Sequence, residues 1–292
     1  MSITRPVWRQ SRGRVVRHDD HGAGHRWLEL EVKSPFAAPG PGQFVQLRLP
    51  PTASPVLLPR PMSVASVARS RGALRVGFLY APVGAGTRAL AGLGAGSEVE
   101  VLGPLGRGFP LGHRGTPVLL AGGRGVAPLL FAADVLARRR RAAVLLFGAR
   151  GRTQLARLTD AHRRLAAIGG RLHVCTDDGS LGPRGNVVHL LERILPGLAG
   201  PLVLHACGPH AMLKAVALWS LARGVPAFLA MESMMACGTG VCRGCALPRS
   251  ANARAAYVPA TASSLHGSRE WAMCCTEGPV FAAEDLDWER IE

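Results

Sequence analysis

Lysine is nearly absent from this chain of 292 residues, although the chain is strongly basic. Lys33 and Lys214 are its only lysines, so arginine carries nearly all of a formal net charge of +16. Aromatic residues are scarce too, at 5%, and none is interleaved with a basic stretch. Nucleic-acid-binding surfaces combine both features, so we predict that the chain binds no nucleic acid. The positive charge is instead expected to attract anionic cofactors and substrates.

Long apolar runs are missing as well. No run approaches the ~20 residues that a membrane-spanning helix needs. Charged residues occupy the N-terminal region where a secretory signal would have its apolar core. Seven cysteines, four of them in a cluster-like spacing, fit a reducing compartment better than a disulfide framework. We therefore predict a cytoplasmic protein without a membrane segment.

Signatures of hydrolases and of nucleotide-cleaving enzymes are also missing. The sequence contains no Ser-His-Asp, H-E-x-x-H or P-loop pattern, and its ten histidines lack the spacing of metal ligands. We therefore assign no catalytic side chain to this chain and interpret no histidine as a metal ligand.

The first part of the chain is predicted to form a small antiparallel barrel. Between about residues 7 and 111, short apolar segments are separated by Gly and Pro, which is typical of strands and turns. One short helix is expected over Thr87–Ala91. The predicted strands are Gly13–Val16, Trp27–Val32, Phe44–Leu49, Met62–Val67, Ala73–Tyr80 and Glu98–Leu102.

From about residue 116, strands and helices alternate, which predicts βαβ units and a parallel sheet. The predicted strands are Val118–Ala121, Val144–Phe147, Leu172–Cys175 and Leu202–Ala206, with a last apolar run at Ala227–Met231. The predicted helices are Val126–Arg138, Thr153–Leu165, Val187–Ile194 and His210–Arg223. Residues 250–270 are expected to form a surface loop. We therefore predict an α+β multidomain protein with domains at 1–112, 113–226 and 227–292.

Four cysteines near the C-terminus form the most informative motif. Cys237, Cys242 and Cys245 follow the pattern C-x4-C-x2-C, and 29 residues separate Cys245 from Cys275. This is the plant-type spacing of a [2Fe–2S] cluster, and the interspersed glycines suit a backbone that folds around one. Cys274 is adjacent to Cys275, so the fourth ligand is ambiguous. A structural zinc site is the alternative, although zinc prefers paired C-x2-C knuckles and only one occurs here.

Two motifs in the first part of the chain are suited to an anionic cofactor. Arg60-Pro61-Met62-Ser63 starts a predicted strand, where an arginine and a hydroxyl three positions apart could bind a phosphate and a polar ring edge. Gly84-Ala85-Gly86-Thr87 precedes the short helix and exposes backbone N–H groups to an anion. The alternatives are a loop arginine that enters an ordinary strand and a threonine that is a plain N-cap.

Two turns lie at the carboxyl ends of predicted parallel strands, where open sheets bind ligands. The segment 121–128 (AGGRGVAP) joins the first of these strands to its helix, in the context of a dinucleotide-binding turn but without the Rossmann spacing. Cys207-Gly208-Pro209 ends the last of these strands, so its thiol is expected to face the same crevice. A tight strand-to-helix turn and a structural turn with a buried cysteine are the respective alternatives.

The order of these motifs is more specific than any one of them, and it resembles the ferredoxin–NADP reductase superfamily with a C-terminal cluster. The segments 232–245 (ESMMACGTGVCRGC) and 275–281 (CTEGPVF) are similar to the electron-transfer subunit of NAD-linked (class 1B) dihydroorotate dehydrogenase. The barrel segment 102–109 (LGPLGRGF) is similar as well, and the resemblance covers essentially the whole chain. Arg124 departs from the family, in which relatives usually have an aliphatic residue at that position.

The resemblance implies FAD, NAD and a [2Fe–2S] cluster as cofactors. Arg60 is then a contact of the FAD diphosphate, and Ser63 is a neighbour of the flavin N5 edge. The other FAD residues would be Pro61, Met62, Leu79, Tyr80, Ala81, Gly86 and Thr87. The NAD site would comprise Gly122, Gly123 and Gly125 at the pyrophosphate, with Cys207, Gly208 and Pro209 near the nicotinamide. The metal ligands would be Cys237, Cys242, Cys245 and Cys275, because the family's fourth cysteine stands two residues before GPVF.

The resemblance also implies a partner, a separate FMN-containing catalytic subunit that oxidises dihydroorotate in pyrimidine synthesis. Electrons from that subunit would cross the cluster, reduce FAD and leave on NAD+, within a heterotetramer. Two alternatives stay open: a reductase of the same architecture for an oxygenase or for a sulfur- or hydrogen-metabolising complex, and a non-enzymatic zinc-stabilised binding protein. NAD against NADP stays open too, because Arg150 and Arg152 follow the second parallel strand and could meet a 2′-phosphate.

Overall fold

Seven antiparallel strands build the first part of the chain in the computed structural model, which describes residues 8–50, 56–70, 72–251, 253 and 270–291. The elements are β1 (Arg9–Asp20), β2 (Arg26–Lys33), β3 (Phe44–Arg48), β4 (Arg60–Ser63), β5 (Ser66–Ser70), β6 (Ala73–Tyr80), α1 (Ala85–Ala91) and β7 (Glu98–Leu105). The strands hydrogen-bond in the order β4-β3-β7-β1-β2-β6-β5. Because the edge strands β4 and β5 are consecutive along the chain, the sheet must curl.

Alternating side chains fill the inside of this curled sheet. Along β2, Leu28, Leu30 and Val32 are fully buried, and they pack in one cluster with Val76 of β6. Successive residues of a strand point to opposite faces, so this alternation makes one face apolar. Each such burial contributes ~1.5–3 kcal/mol. The predicted barrel is therefore confirmed as a curled antiparallel sheet.

One of the predicted strands is wrong. Met62–Val67 was expected to be continuous, but the structure divides this segment between β4 and β5. The division falls at Val64 and Ala65, whose amides donate to Gln43 O at 3.1 Å and to Gly77 O at 2.8 Å. The chain therefore changes its pairing partner from β3 to β6 within a segment that has no Gly or Pro to mark the change.

The second part of the chain alternates between strands and helices, as predicted. Its strands are β8 (Thr116–Gly122), β9 (Val144–Ala149), β10 (Arg171–Thr176), β11 (Leu202–Cys207), β12 (Ala227–Ala230), β13 (Ala246–Pro248), β14 (Trp271–Met273) and β15 (Val280–Ala282). Its helices are α2 (Val126–Arg138), α3 (Leu158–Ala166), α4 (Val187–Ile194) and α5 (His210–Arg223). Six strands form a sheet in the order β10-β9-β8-β11-β12-β15. The neighbours in it are parallel except that β15 runs antiparallel to β12.

The helix predicted over Thr153–Leu165 is only partly correct. The structure has a 3₁₀ turn at Arg152–Gln154 and then α3. Arg157 separates them with a left-handed backbone at φ 61°. Its guanidinium lies 4.2 Å from the centroid of the Trp27 ring in β2 and pairs with Asp160. This cation–π contact joins the two sheets and holds the turn that interrupts the helix.

The cysteine-rich segment shares its core with both sheets. One hydrophobic cluster contains Phe44 of β3, Leu204 of β11, and Cys245, Met273 and Cys275. Strands β13 and β14 form a short antiparallel pair, and β12 and β15 extend the six-stranded sheet beyond residue 226. The domain limits of 1–112, 113–226 and 227–292 stay a prediction.

Two predictions concern surface and membrane. The surface loop expected at residues 250–270 lies largely outside the described residues. Within the described ranges, no helix combines the length and the apolar character that a membrane crossing requires.

Candidate functional site

Arg60 is held beside the first turn of α1. Its guanidinium donates to Leu58 O at 3.0 Å and to Pro59 O at 3.1 Å. A Cβ on Gly86 would lie 2.8 Å from Arg60 Cδ, so the arginine side chain packs closely on the backbone at this glycine. Thr87 Oγ1 accepts from the Gly84 amide at 3.0 Å and caps the helix. A fixed guanidinium at a helix start is suited to a phosphate group.

The other predicted flavin residues divide by exposure. Pro61 and Ser63 are exposed and Met62 is buried, as the alternation of β4 requires. Tyr80 is 4% exposed, and its hydroxyl bonds to His18 Nε2 at 2.8 Å inside the curled sheet. Burial raises the pKa of Tyr80. Tyr80 therefore offers a ligand its backbone rather than its phenol.

A cavity of about 730 Å³ lies at the carboxyl ends of the parallel strands. Its volume is in the range of small-molecule and cofactor sites. It brings together two predicted turns, and the members that line it are Gly122, Gly123, Gly125, Gly208 and Pro209. Open parallel sheets bind ligands at this edge, so its position agrees with the expected dinucleotide crevice.

Glycine is needed for different physical reasons at the three positions of the first turn. A Cβ on Gly125 would lie 2.1 Å from Cys207 O, and one on Gly122 would lie 2.6 Å from Met212 Sδ. These two glycines let the turn pack against the turn after β11. Gly123 has φ 52° and no neighbour within 4 Å of its Cβ position, so it opens the backbone to the cavity.

The thiol of Cys207 does not line the cavity. Cys207 is 4% exposed, and burial, followed by the charge of Glu232, raises the pKa of its thiol. Its carbonyl packs against Gly125 instead. The residue supports the floor of the cavity, and its predicted place near a nicotinamide stays a prediction.

Sequence reasoning missed several residues of this cavity. Asp177 follows β10, and Asn186 caps α4 by accepting from Val188 N at 3.0 Å. Glu232 also lines the cavity, directly before the cysteine segment. The fourth is His25, which reaches the cavity from the β1–β2 turn. Carboxylates after strands are a detectable signal, whereas a histidine in a remote hairpin gives none.

The four spaced cysteines gather in two pairs. Cys237 Sγ accepts from the amides of Thr239 and Cys242, each at 3.4 Å. Cys245 Sγ and Cys275 Sγ are 3.2 Å apart. Amides that donate to cysteine sulfurs stabilise thiolates, which are the form that binds metal. Within the described residues, no group of three or more His, Cys, Asp or Glu side chains is arranged to hold a single metal ion.

The electrostatics of these cysteines favour thiolates at two positions. Burial opposes ionisation of Cys237, but hydrogen bonds from Cys242 and Thr239 outweigh it and lower the pKa of Cys237 to about 6. The hydrogen bond from Cys275 lowers the pKa of Cys245 to about 7. The partner thiol in this bond, Cys275, has its pKa raised. The donor set therefore fits a thiolate-bound group.

Cys274 points away from the other cysteines. Its sulfur lies 3.6 Å from Met231 O in the core, and burial raises the pKa of its thiol. Cys275, by contrast, contacts Cys245. This geometry supports Cys275 as the fourth member of the set.

Gln46 is a polar side chain against the cysteine loop that the sequence did not reveal. It is 1% exposed in β3, and neither amide atom has a hydrogen-bond partner among the described residues. A Cβ on Gly238 would lie 2.8 Å from Gln46 Nε2. An unpartnered buried amide costs ~1–3 kcal/mol. Such an amide beside the cysteine loop fits a site that holds a hydrogen-bond acceptor.

No family model matches the chain. The dihydroorotate dehydrogenase B (NAD+) electron transfer subunit of Desulforamulus reducens is 35% identical over 264 residues, 90% of this chain and 92% of that protein. The subunit of the same name from Geobacillus thermodenitrificans is 36% identical over 249 residues, 84% of this chain and 86% of that protein. The one from Shouchella clausii is 34% identical over 284 residues, 95% of this chain and 98% of that protein.

Solved structures share the fold. The NADH-dependent reduced ferredoxin–NADP oxidoreductase has a TM-score of 0.76 and 24% identity, and the match covers 96% of this chain and 91% of that chain. The ferredoxin reductase in carbazole 1,9a-dioxygenase has a TM-score of 0.62 and 20% identity, over 75% of this chain and 67% of that chain. At these identities the likeness establishes a ferredoxin reductase fold, with a curled antiparallel sheet and an α/β sheet.

Proposed function

The chain belongs to the family of electron transfer subunits of dihydroorotate dehydrogenase B (NAD+), and we propose that it passes electrons from a dihydroorotate-oxidising subunit to NAD+. It is an oxidoreductase subunit in which bound cofactors supply the redox chemistry. When bound, FAD exchanges electron pairs with NAD(H) as hydride and single electrons with an iron–sulfur cluster. The residues of this chain bind, orient and shield these groups.

FAD would lie along β4 and the start of α1. Arg60 would pair with the diphosphate, because its guanidinium is already fixed beside Gly86. Exposed Ser63 lies three residues further along the same strand and would face the ring edge of the flavin. Leu79 and Tyr80 would contribute their backbone at the end of β6.

NAD(H) would occupy the cavity at the parallel strands. Gly123 gives the diphosphate access to backbone N–H groups at the start of α2. Gly122 and Gly125 let the glycine turn pack on the Gly208-Pro209 turn. The Gly208-Pro209 turn closes the opposite side of the cavity. This packing would set where the dinucleotide meets the flavin-binding half of the chain.

Cys237, Cys242, Cys245 and Cys275 would hold a [2Fe–2S] cluster. The support is their spacing, their amide-bonded sulfurs and the thiolate character of Cys237 and Cys245. A cluster there would transfer single electrons. The thiolates of the loop would anchor it, and the backbone amides would stabilise its negative charge.

One observation carries the proposal most directly. Gln46 pairs with Pro61 of the flavin strand in the β3–β4 ladder, and its side chain touches Gly238 of the cysteine loop. The proposed flavin and cluster positions are therefore linked by a single residue of β3. Electron transfer needs such proximity, which a shared core provides.

The partner and the compartment are proposed as well. The catalytic subunit would contain FMN, oxidise dihydroorotate and assemble with this chain into a heterotetramer. All seven cysteines are free, which suits a reducing compartment, so we place the complex in the cytoplasm.

The test is Cys242→Ala in the complex with the catalytic subunit. NAD+-linked dihydroorotate oxidation should be lost, whereas dye-linked oxidation by the catalytic subunit should persist. Cys175→Ala is the matched control, because Cys175 is a free cysteine buried in the parallel-sheet region. NAD+-linked turnover that survives in Cys242→Ala would show that no cluster lies on the route.

A further inference from the structure

His25 is a buried histidine whose ring faces the dinucleotide cavity from the first sheet. It is 4% exposed in the turn between β1 and β2, and it lines the cavity together with Ala23. Both ring nitrogens are buried without a hydrogen-bond partner of normal geometry among the described residues. A buried polar group without a hydrogen-bond partner costs ~1–3 kcal/mol of folding free energy, so a ligand that hydrogen-bonds to the ring would remove this cost.

Arg124 lines the same cavity from the turn after β8. It lies on the glycine turn between Gly123 and Gly125, it is exposed, and it lines the cavity. Burial and then the positive charge of Arg124 lower the pKa of His25, against a smaller opposing effect of the Gln154 backbone. His25 is therefore neutral, with one N–H to donate, and a cation stands beside it. An N–H donor and a cation in one cavity are suited to bind an anion.

We infer that His25 and Arg124 together bind the diphosphate of a nicotinamide dinucleotide, and thereby tie the flavin-binding half of the chain to its nucleotide-binding half. The inference rests on the proposed function, because it names contacts within the proposed NAD(H) cavity. The guanidinium pairs with the phosphate oxygens, and the imidazole N–H donates to one of them. The open backbone at Gly123 supplies the remaining donors.

The other charges of the cavity locate the diphosphate. Asp177 and Glu232 line it as carboxylates, which repel phosphate and accept from hydroxyl groups. Arg150 is the competing cation, at the end of β9. It lies on another turn, the one that follows β9 rather than β8. Among the described residues that line the cavity, His25 and Arg124 therefore offer a buried imidazole without a hydrogen bond of normal geometry and an exposed arginine on the glycine turn.

Titration of the FAD-loaded full chain with NADH and with ADP-ribose tests the inference. Arg124→Leu should weaken both ligands about 10- to 100-fold, the range of charged hydrogen bonds. His25→Phe keeps the ring volume, removes both nitrogens, and should weaken both ligands about 3- to 10-fold. Since the two groups share one anion, the double variant should lose less than the product of the single losses.

Three comparisons separate the outcomes. His21→Phe changes the same hairpin outside the cavity and should bind like the wild type, and Arg150→Leu reports the effect of removing any cavity charge. Wild-type protein that binds neither ligand would overturn the NAD(H) site itself. A wild type that binds both ligands, with Arg124→Leu and His25→Phe no weaker than His21→Phe, would overturn the pair alone. The pair would also be overturned if the affinity losses of the two single variants multiplied fully in the double variant. The same holds if Arg150→Leu lost as much affinity as Arg124→Leu.

Discussion

Gly125 is the position where an added methyl group should distort the proposed dinucleotide cavity most. Its backbone has φ −59°, which any residue adopts, so the effect of Gly125→Ala is purely steric. The new Cβ would lie 2.1 Å from Cys207 O, 2.4 Å from Cys207 C and 2.7 Å from Gly208 N. Ordinary contact begins at 3.4 Å, so the two turns must part by about 1.3 Å. All three atoms are backbone, so no side-chain rotation relieves the clash.

The expected cost is at the upper end of the ~1–3 kcal/mol typical of overpacking. That corresponds to a fall in Tm of roughly 6 to 12 °C for ~3 kcal/mol. NADH affinity should fall more than about 10-fold, because parting the turns moves Gly123 and Arg124. Calorimetric unfolding and NADH titration measure the two effects. Gly112→Ala is the control, since its Cβ meets nothing within 4 Å.

Equal Tm and equal NADH affinity in Gly125→Ala and Gly112→Ala would refute this reasoning. The glycine turn would then not depend on close packing with the Cys207–Gly208 backbone. A fall in Tm with unchanged NADH affinity would show that the packing is real but that the cavity is not the dinucleotide site.

Three further predictions concern the cysteine loop and the core. Cys275→Ala should abolish iron retention and Cys274→Ala should keep it, by iron analysis of anaerobic protein; the reverse result would reassign the fourth ligand. Gln46→Leu should lower the potential of the cluster by ~60 mV if its amide favours the reduced state by ~1.4 kcal/mol, by redox titration followed by EPR; an unchanged potential would mean that the amide does not face the cluster. Burial, with the charges of His113 and Arg141, lowers the pKa of His205 from 6.5 to about 3. Below about pH 6.5 the unfolded chain therefore binds a proton that the folded protein does not bind, and the free energy of unfolding falls as the pH falls. His205 lies between the rings of Phe109 and Phe228. In urea unfolding at pH 6.5 and pH 5, His205→Phe should reduce the pH dependence of the free energy of unfolding by up to ~1.4 kcal/mol per pH unit. An equal pH dependence in the variant and the wild type would contradict this.

Local signals in the sequence predicted most of the regular elements. The bounds of α2, α4 and α5 match the structure, because Gly125, Asn186 and Pro209 mark the helix starts. Strand β6 matches as well, since Gly72 precedes it and a Pro follows in the next turn. Such elements depend on neighbours in the sequence and little on distant contacts.

The errors occur where tertiary contacts decide. Val64 and Ala65 separate two strands only because Gln43, directly before β3, and Gly77, in β6, accept their hydrogen bonds. Arg157 interrupts a helix-like segment because it stacks on a distant Trp27. Neither partner is visible in the local pattern, so the sequence alone could not reveal these breaks.

The candidate site shows the same division. Spacing identified the glycine turn and the cysteine set, because the chemistry of these motifs lies in consecutive residues. It did not choose between Cys274 and Cys275, which differ only in the direction of their side chains. His25 and Gln46 were missed because they reach the site from the β1–β2 turn and from β3 of the first sheet, far away in sequence.

Iron and sulfide analysis of anaerobically purified protein, combined with EPR after reduction, decides whether thiolates of the cysteine loop hold a cluster beside a bound flavin. We expect two irons and two sulfides per chain, and an EPR signal on reduction that Cys275→Ala abolishes. Protein that holds zinc at the cysteines, or that stays iron-free after reconstitution, would contradict it.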